Sequence, residues 1–321
     1  MQAEQTLKEQ TLKEKKMKVL SILKSIRAIL ATVFVFVCGL LSPLSPSTSQ
    51  AELISQRQYV LDEAFAAGQG LAADGEYLYT SGAMSAFYMT ALSKIDIKFG
   101  EVVQKNLSAL PFEFTKKGYD HIGAISLCKD TIYAPVEHRS NADPLVLLFD
   151  KNTLEYTGVY YRIDQTYLHD GIPWCAVDEE AGLLYTSPFH HAQYILAFNL
   201  KDMSFEKKID LSCELDRIQG AVCSNGTLFA NLDPNEPKGT KTVKAVSLET
   251  GEVSDFFSRN VTGAFGCETE GITLTFTPEG KMRFIIADYD KTVCVFIRTY
   301  EPLMLRPQAP CVSEMMPLCG F

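Results

Sequence analysis

The sequence predicts an all-β protein, a five-bladed β-propeller of four-stranded blades whose ring is closed by an N-terminal strand. Three features carry that expectation. A glycine-bearing segment recurs five times, with Gly70, Gly123, Gly171, Gly220 and Gly271 separated by 53, 48, 49 and 51 residues. A second pattern, apolar run, turn-former, apolar run, keeps step with it in SKIDIKFGEVV, VLLFDKNTLEY, LAFNLKDMSFE and AVSLETGEVSD. The last unit lacks a fourth strand, and an unassigned strand precedes the first. Four strands recurring at roughly 40–50 residues are the signature of a propeller.

In chain order, RQYVLDEAF (57–65) is the spare strand. Unit one follows as GQGLAADGEYLYTSG from Gly68, and unit two as DHIGAISLCKDTIYAPVE from Asp120. Unit three is HDGIPWCAVDEEAGLLYTS from His169, unit four IQGAVCSNGTLFANL from Ile218, and unit five TEGITLTFTPEGKMRFIIADY from Thr269. Each pairs a polar residue with a glycine, then an inner strand a, a turn and strand b. Asp96, Asp150, Asn199 and Ser247 open the c–d turns, because a short polar side chain can bond its own backbone. Unit five offers strands over 272–276, 282–287 and 292–299 and then no partner. Seating 57–65 there removes an open sheet edge that would otherwise invite pairing with other chains. A six-bladed ring would need a sixth unit, which the sequence lacks. No amphipathic helix of useful length follows residue 66.

The formal net charge of −9 averages two unlike parts. Residues 1–51 hold seven Lys/Arg and three acidic residues, leaving 23 basic and 36 acidic residues in 52–321, a net of −13. The basic head precedes AILATVFVFVCGLL (28–41) and a Ser/Pro/Thr stretch ending Ser49-Gln50-Ala51, the pattern of a secretory signal. An uncleaved anchor is the other reading; the apolar run of ~21 Å as a helix is short for a ~30 Å hydrocarbon core. The expected organisation is therefore a signal peptide (1–51), the propeller (52–302) and a Cys-containing tail (303–321). The protein is expected to be secreted or periplasmic, monomeric, without a later membrane span and without a nucleic-acid partner, for which an acidic body is unsuited. The composition also excludes a disordered tail, a collagen and a coiled coil. Eight cysteines remain after the head: Cys128, Cys175, Cys213, Cys223, Cys267, Cys294, Cys311 and Cys319. Export permits disulfides among them, and buried thiols are the alternative.

In a propeller the d–a and b–c connections open on one face, at the mouth of the central channel. All five histidines fall in those connections. The residue before the glycine is Gln69, Asp170, Gln219 or Glu270 in four units, with His121 near it in the other. These side chains should converge on the mouth. Three outcomes are open. They close the channel by bonding one another; they hold a divalent cation, Ca²⁺ with oxygen ligands or Zn²⁺ with histidine; or they perform acid–base work. The expected catalytic residues are Glu270, Asp170 and Glu137. The expected ligand contacts are Gln69, Gln219, Trp174 and His190. The expected metal ligands are His121, His169 and Asp120. Of the adjacent His190 and His191, at most one should face the channel. Trp174, the single tryptophan, is either core or a stacking platform for a ring. No GxSxG elbow, phosphate loop or dinucleotide fingerprint is present.

Phe65-Ala66-Ala67-Gly68-Gln69-Gly70-Leu71, Asp74-Gly75, Leu78-Tyr79 and Leu92-Ser93-Lys94-Ile95-Asp96 resemble the opening of plant- and bacterial-type glutaminyl cyclotransferases. The resemblance implies an exported five-bladed propeller with a site at the channel mouth, often with a central metal, and makes Gln69 a site residue. Where that family has Gly-Glu-Gly-Ile, this chain has His121-Ile122-Gly123-Ala124, and the acidic-aromatic motif of blade four is replaced by Gln219-Gly220-Ala221. The expected function is binding of a small molecule, a peptide or a divalent cation at the mouth. The alternative is an enzyme on the same face, either cyclotransferase-like or a metal-dependent hydrolase.

Overall fold

A computed structural model describes residues 47–84, 89–166, 168–234, 240–261, 266–290 and 294–303. The chain forms five antiparallel sheets arranged as a five-bladed β-propeller. Blade one runs Leu71–Ala73, Tyr77–Met84, Met89–Asp96 and Val102–Asn106. Blade two runs Tyr119–Ile122 continued by Ser126–Cys128, then Thr131–His138, Leu145–Asp150 and Tyr156–Arg162. Blade three runs Ala176–Asp178, Leu183–Thr186, Ala192–Asn199 and Phe205–Leu215. Blade four runs Ile218–Ser224, Thr227–Leu232, Thr240–Ser247 and Val253–Asn260. Blade five takes Cys267–Phe276, Met282–Asp290 and Cys294–Pro302 from its own unit.

The fourth strand of blade five is N-terminal, as expected. Ala51–Val60 lies antiparallel on Cys294–Pro302, with Ala51 opposite Pro302 and Val60 opposite Cys294. Its bounds differ from the expected 57–65. The strand ends at Leu61, which has φ 58°, and Asp62–Ala66 is a one-turn helix that buries Ala64, Phe65 and Ala66. A further strand was not foreseen: Ser47–Ser49 pairs with Val253–Asn260 as a fifth strand of blade four. The expected boundary at 51/52 thus falls inside a segment that pairs with two blades. Most of the head, Cys311, Cys319 and nearly all of the tail lie outside the described residues.

The turn chemistry is as the sequence predicts. Asp96 Oδ1 accepts from the Phe99 amide at 2.8 Å, Asp150 Oδ1 from those of Asn152 and Thr153 at 2.9 and 2.8 Å, and Asn199 Oδ1 from that of Lys201 at 3.0 Å. The Ser247 hydroxyl accepts from the Thr250 amide at 3.2 Å.

The apolar core is five wedges, one between each pair of consecutive blades, so no blade buries its faces alone. The repeated glycines lie where inner strands crowd the axis. A Cβ on Gly271 would stand 2.5 Å from the Leu71 amide nitrogen, and one on Gly123 would stand 2.1 Å from the Pro173 oxygen. Blade five is joined to blade one there by the Gly271 amide, which donates to the Gln69 carbonyl at 2.6 Å. Blades two and three are joined by reciprocal bonds between Ala124 and Pro173 or Cys175, at 2.9 and 3.0 Å.

The disulfide expectation is corrected for six cysteines. Cys128, Cys175, Cys213, Cys223, Cys267 and Cys294 are free. Cys175 is buried and donates to the Tyr133 carbonyl at 3.3 Å, as a packed thiol does. Among the described residues no helix is long and apolar enough to cross a membrane.

Candidate functional site

At the d–a/b–c face the channel opens into a cavity of about 430 Å³. Gln69, His121, Glu137, Asp170, His190, Gln219 and Glu270 all line it, together with Asn141, Pro173, Phe189 and Glu268. Seven of the ten expected site residues therefore come together. The repeat is the reason: the pre-glycine position of each unit arrives at the same height on the axis, so residues about 50 apart in sequence meet in space.

Glu137 is the penultimate residue of the Thr131–His138 strand and pairs with His121 on the adjacent strand. The Ile172 amide donates to its carboxylate, yet burial and the negative charge of Asp170 push its pKa up to about 7. Gly171 makes the room: it has φ 92°, and a Cβ there would stand 2.6 Å from Glu137 Oε1. His121 Nε2 lies 4.0 Å from Glu137 Oε2. Desolvation lowers the imidazole to about 4, so it is neutral at pH 7. The proton that the pair exchanges near neutrality therefore sits on the carboxyl side, where Glu137 is about half protonated at pH 7. Asp170 Oδ2 accepts from the His190 amide at 2.9 Å, while its Oδ1 is buried with no hydrogen-bond partner.

Glu270 is 3% exposed, and burial, reinforced by Glu268 and Asp233, pushes its pKa well above the usual carboxylate range. Arg217, which sequence reasoning missed, braces this side of the cavity. Its guanidinium donates to the Asp233 side chain at 3.0 Å and to Glu268 Oε1 at 3.1 Å, and packs 5.3 Å from the Phe189 ring centre. Asp233 also takes Lys241 as an ion-pair partner, so this acidic residue anchors the wall. Arg217 sits at the start of blade four with no motif around it; its only signal was a lone basic residue beside Gln219.

Three expected residues lie elsewhere. Trp174 is fully buried in the wedge between blades three and four, among Ala124, Ala176 and Ile218, and does not line the cavity. Asp120 occupies a bulge between the paired residues Tyr119 and His121, which turns it away from the cavity its neighbour lines. It is 7% exposed, and burial raises its carboxyl against the lowering influence of Arg139 and His138. His169 is exposed and outside the cavity. The expected ligand set of His121, His169 and Asp120 is therefore not assembled. Among the described residues no group of three or more His, Cys, Asp and Glu side chains is placed to hold a metal ion. The adjacent histidines divide as expected: His190 lines the cavity, and His191 is exposed and pairs with Glu214 at 2.7 Å. His138 lines a separate cleft of about 170 Å³ with Phe114, Tyr119, Tyr160 and Arg162.

The described fold and cavity define a β-propeller with an acidic channel mouth. No protein-family model matches the chain, and no curated protein does. Solved structures do. A family 43 glycoside hydrolase, a β-xylosidase/α-arabinofuranosidase from a compost microbial metagenome, aligns with a TM-score of 0.50 at 14% identity, over 80% of this chain and 95% of that one. The tail fibre of Staphylococcus aureus phage P68 aligns with a TM-score of 0.49 at 13% identity, over 81% and 53%. Hydrazine synthase of Kuenenia stuttgartiensis aligns with a TM-score of 0.37 at 14% identity, over 69% and 56%. The chain thus spans little more than half the length of the last two. At these identities the likeness is one of fold alone.

Proposed function

We propose that this chain binds a small polar molecule bearing a protonated amine, of amino-acid or short-peptide size, at the channel mouth. The observation that carries this reading is Asp170 Oδ1, buried at the cavity without a donor. A buried carboxylate oxygen left unpaired is costly, and a ligand ammonium supplies what it lacks. Among the described residues no Lys or Arg lines the cavity; of its four carboxyl groups Glu137 and Glu270 are shifted toward the neutral form and Glu268 is paired with Arg217, which leaves Asp170 to face a ligand cation. Gln69 and Gln219 offer both donors and acceptors, and Phe189 offers an apolar wall.

An enzyme on the same face is the second reading, and the Glu137–His121 pair favours it. A carboxyl titrating at about 7 can give and take a proton near neutrality. In a cyclotransferase-like step it would take the proton of an attacking amine and return one to departing ammonia. A divalent cation, Ca²⁺ or Zn²⁺, is the competing occupant and would draw on the same carboxylates. The exported location rests on the basic, apolar and small-residue pattern of residues 1–51.

Calorimetric titration of the wild type and Asp170→Asn with arginine, a glutaminyl dipeptide and a neutral polyol tests the reading. The cationic ligands should bind and the polyol should not, and the substitution should weaken binding at least about tenfold, ~1.4 kcal/mol. Equal affinity for neutral and cationic ligands would defeat it. Ammonia release from the dipeptide, abolished in Glu137→Gln, would establish the enzyme reading. Binding lost in chelator and restored by Ca²⁺ or Zn²⁺ would establish the cation.

A further inference from the structure

Away from the channel mouth, the wedge between blades four and five encloses charge that has no reason to be there unless something answers it. Arg259 and Arg298 are completely buried, and so is Asp288, the one carboxylate they share. Arg259 Nη2 donates to Asp288 Oδ1 at 3.1 Å and Arg298 Nη1 to Oδ2 at 2.6 Å. Their other partners are neutral: Asn231 Oδ1 and the Thr269 hydroxyl for Arg259, and Gln56 Oε1 at 2.7 Å for Arg298. The triad therefore carries one positive charge in excess, at zero exposure.

Three donors of the same cluster are unpartnered: Arg259 Nε, Arg298 Nη2 and the Tyr300 hydroxyl. They are neighbours. Arg298 and Tyr300 stand two residues apart on one strand, and so on one face of it. The Arg259 guanidinium carbon lies 5.5 Å from the Tyr300 ring centre. Burial holds the Tyr300 phenol in its protonated, donating form. Buried unpaired donors in a native protein call for a partner, and an unpaired buried charge is strongly destabilising. A water would answer the donors and leave the charge. An anion answers both.

We propose that Arg259, Arg298 and Tyr300 bind a small monovalent anion, with a halide as the simplest, which completes the interface between blades four and five. The test is thermal unfolding of protein refolded in sodium gluconate, then titrated with chloride or bromide at constant ionic strength. The midpoint should rise with halide concentration in the manner of a ligand that binds only the folded state. Tyr300→Phe keeps the ring and removes one donor, so it should shift the halide dependence to several-fold higher concentration. Arg298→Met should abolish the dependence. Should that variant fail to fold, Tyr300→Phe and a crystal grown from protein refolded in bromide decide the matter, with an anomalous peak expected between the two guanidinium groups. Identical midpoints in gluconate and halide, or a water at that position with no anomalous signal, would overturn the proposal.

Discussion

Glu137 shows how one side chain can set a pH response. Its folded pKa of about 7 lies above the 4.5 of an unconstrained glutamate, so between those values the folded protein holds a proton that the unfolded chain releases. Its contribution is fully present below about pH 4.5 and is lost as the pH rises through about 7. The limit of that loss is on the order of 3 kcal/mol. Glu137→Gln should therefore flatten the decline in stability across this window and exceed the wild type at about pH 8, while matching it at about pH 4; urea midpoints at these two pH values check this. His121 works in the opposite sense. Its pKa is depressed from 6.5 to about 4, so its contribution is present above 6.5 and lost as the pH falls. Glu137 and His121 were legible in the sequence as candidates, because the repeat placed them near the mouth. Their protonation was not, because it depends on Gly171 clearing space for the carboxylate and on the desolvation that follows.

The inner strands owe their packing to glycine. A Cβ on Gly271 would meet Leu71 N at 2.5 Å and Gln69 O at 2.7 Å, both backbone atoms that cannot rotate aside. At Gly220 the nearest atom, Gly271 Cα, is 3.1 Å away. Gly271→Ala should cost more than about 3 kcal/mol and Gly220→Ala about 1 kcal/mol, read from denaturant midpoints at unchanged m-value. Equal costs would mean that the contact between blades five and one is no tighter than its neighbours. The turns of these blades were readable in the sequence because each is local, an Asp, Asn or Ser bonding the backbone two or three residues on. The one-turn helix Asp62–Ala66 was not readable: its apolar residues fit a strand equally well, and only the wedge they fill selects the helix.

The ring as a whole depends on its N-terminal strand. Tyr59 is 5% exposed in the wedge between blades five and one, and its hydroxyl donates to the Gly100 carbonyl at 3.0 Å. Arg57 donates to the Lys98 carbonyl at 3.0 Å, so the strand clasps blade one as well as completing blade five. A chain starting at residue 61 should expose the Cys294–Pro302 edge and self-associate in size-exclusion chromatography. Of the described structure, a chain starting at residue 51 loses the three-residue strand on blade four and the bond from the Leu303 amide to the Gln50 carbonyl, and it should remain monodisperse, with an unfolding midpoint lower by a few degrees, about 1 kcal/mol. Aggregation of both chains would show that the short strand on blade four is needed for closure too.

Blade number, ring closure, turn positions and the approach of seven of the ten expected residues to the channel mouth were contained in the spacing of glycines and turn-formers, because a repeat converts sequence period directly into angular position. Side-chain direction and charge balance were not. A one-residue bulge turns Asp120 from its neighbour His121, the packing of two blades swallows Trp174, Arg259 finds its carboxylate across blades, and Arg217 and Arg298 find Asp233 and Asp288 from other strands of their own blades. Those outcomes depend on contacts between residues distant in the chain, where no local pattern reaches and burial alone decides which groups stay charged.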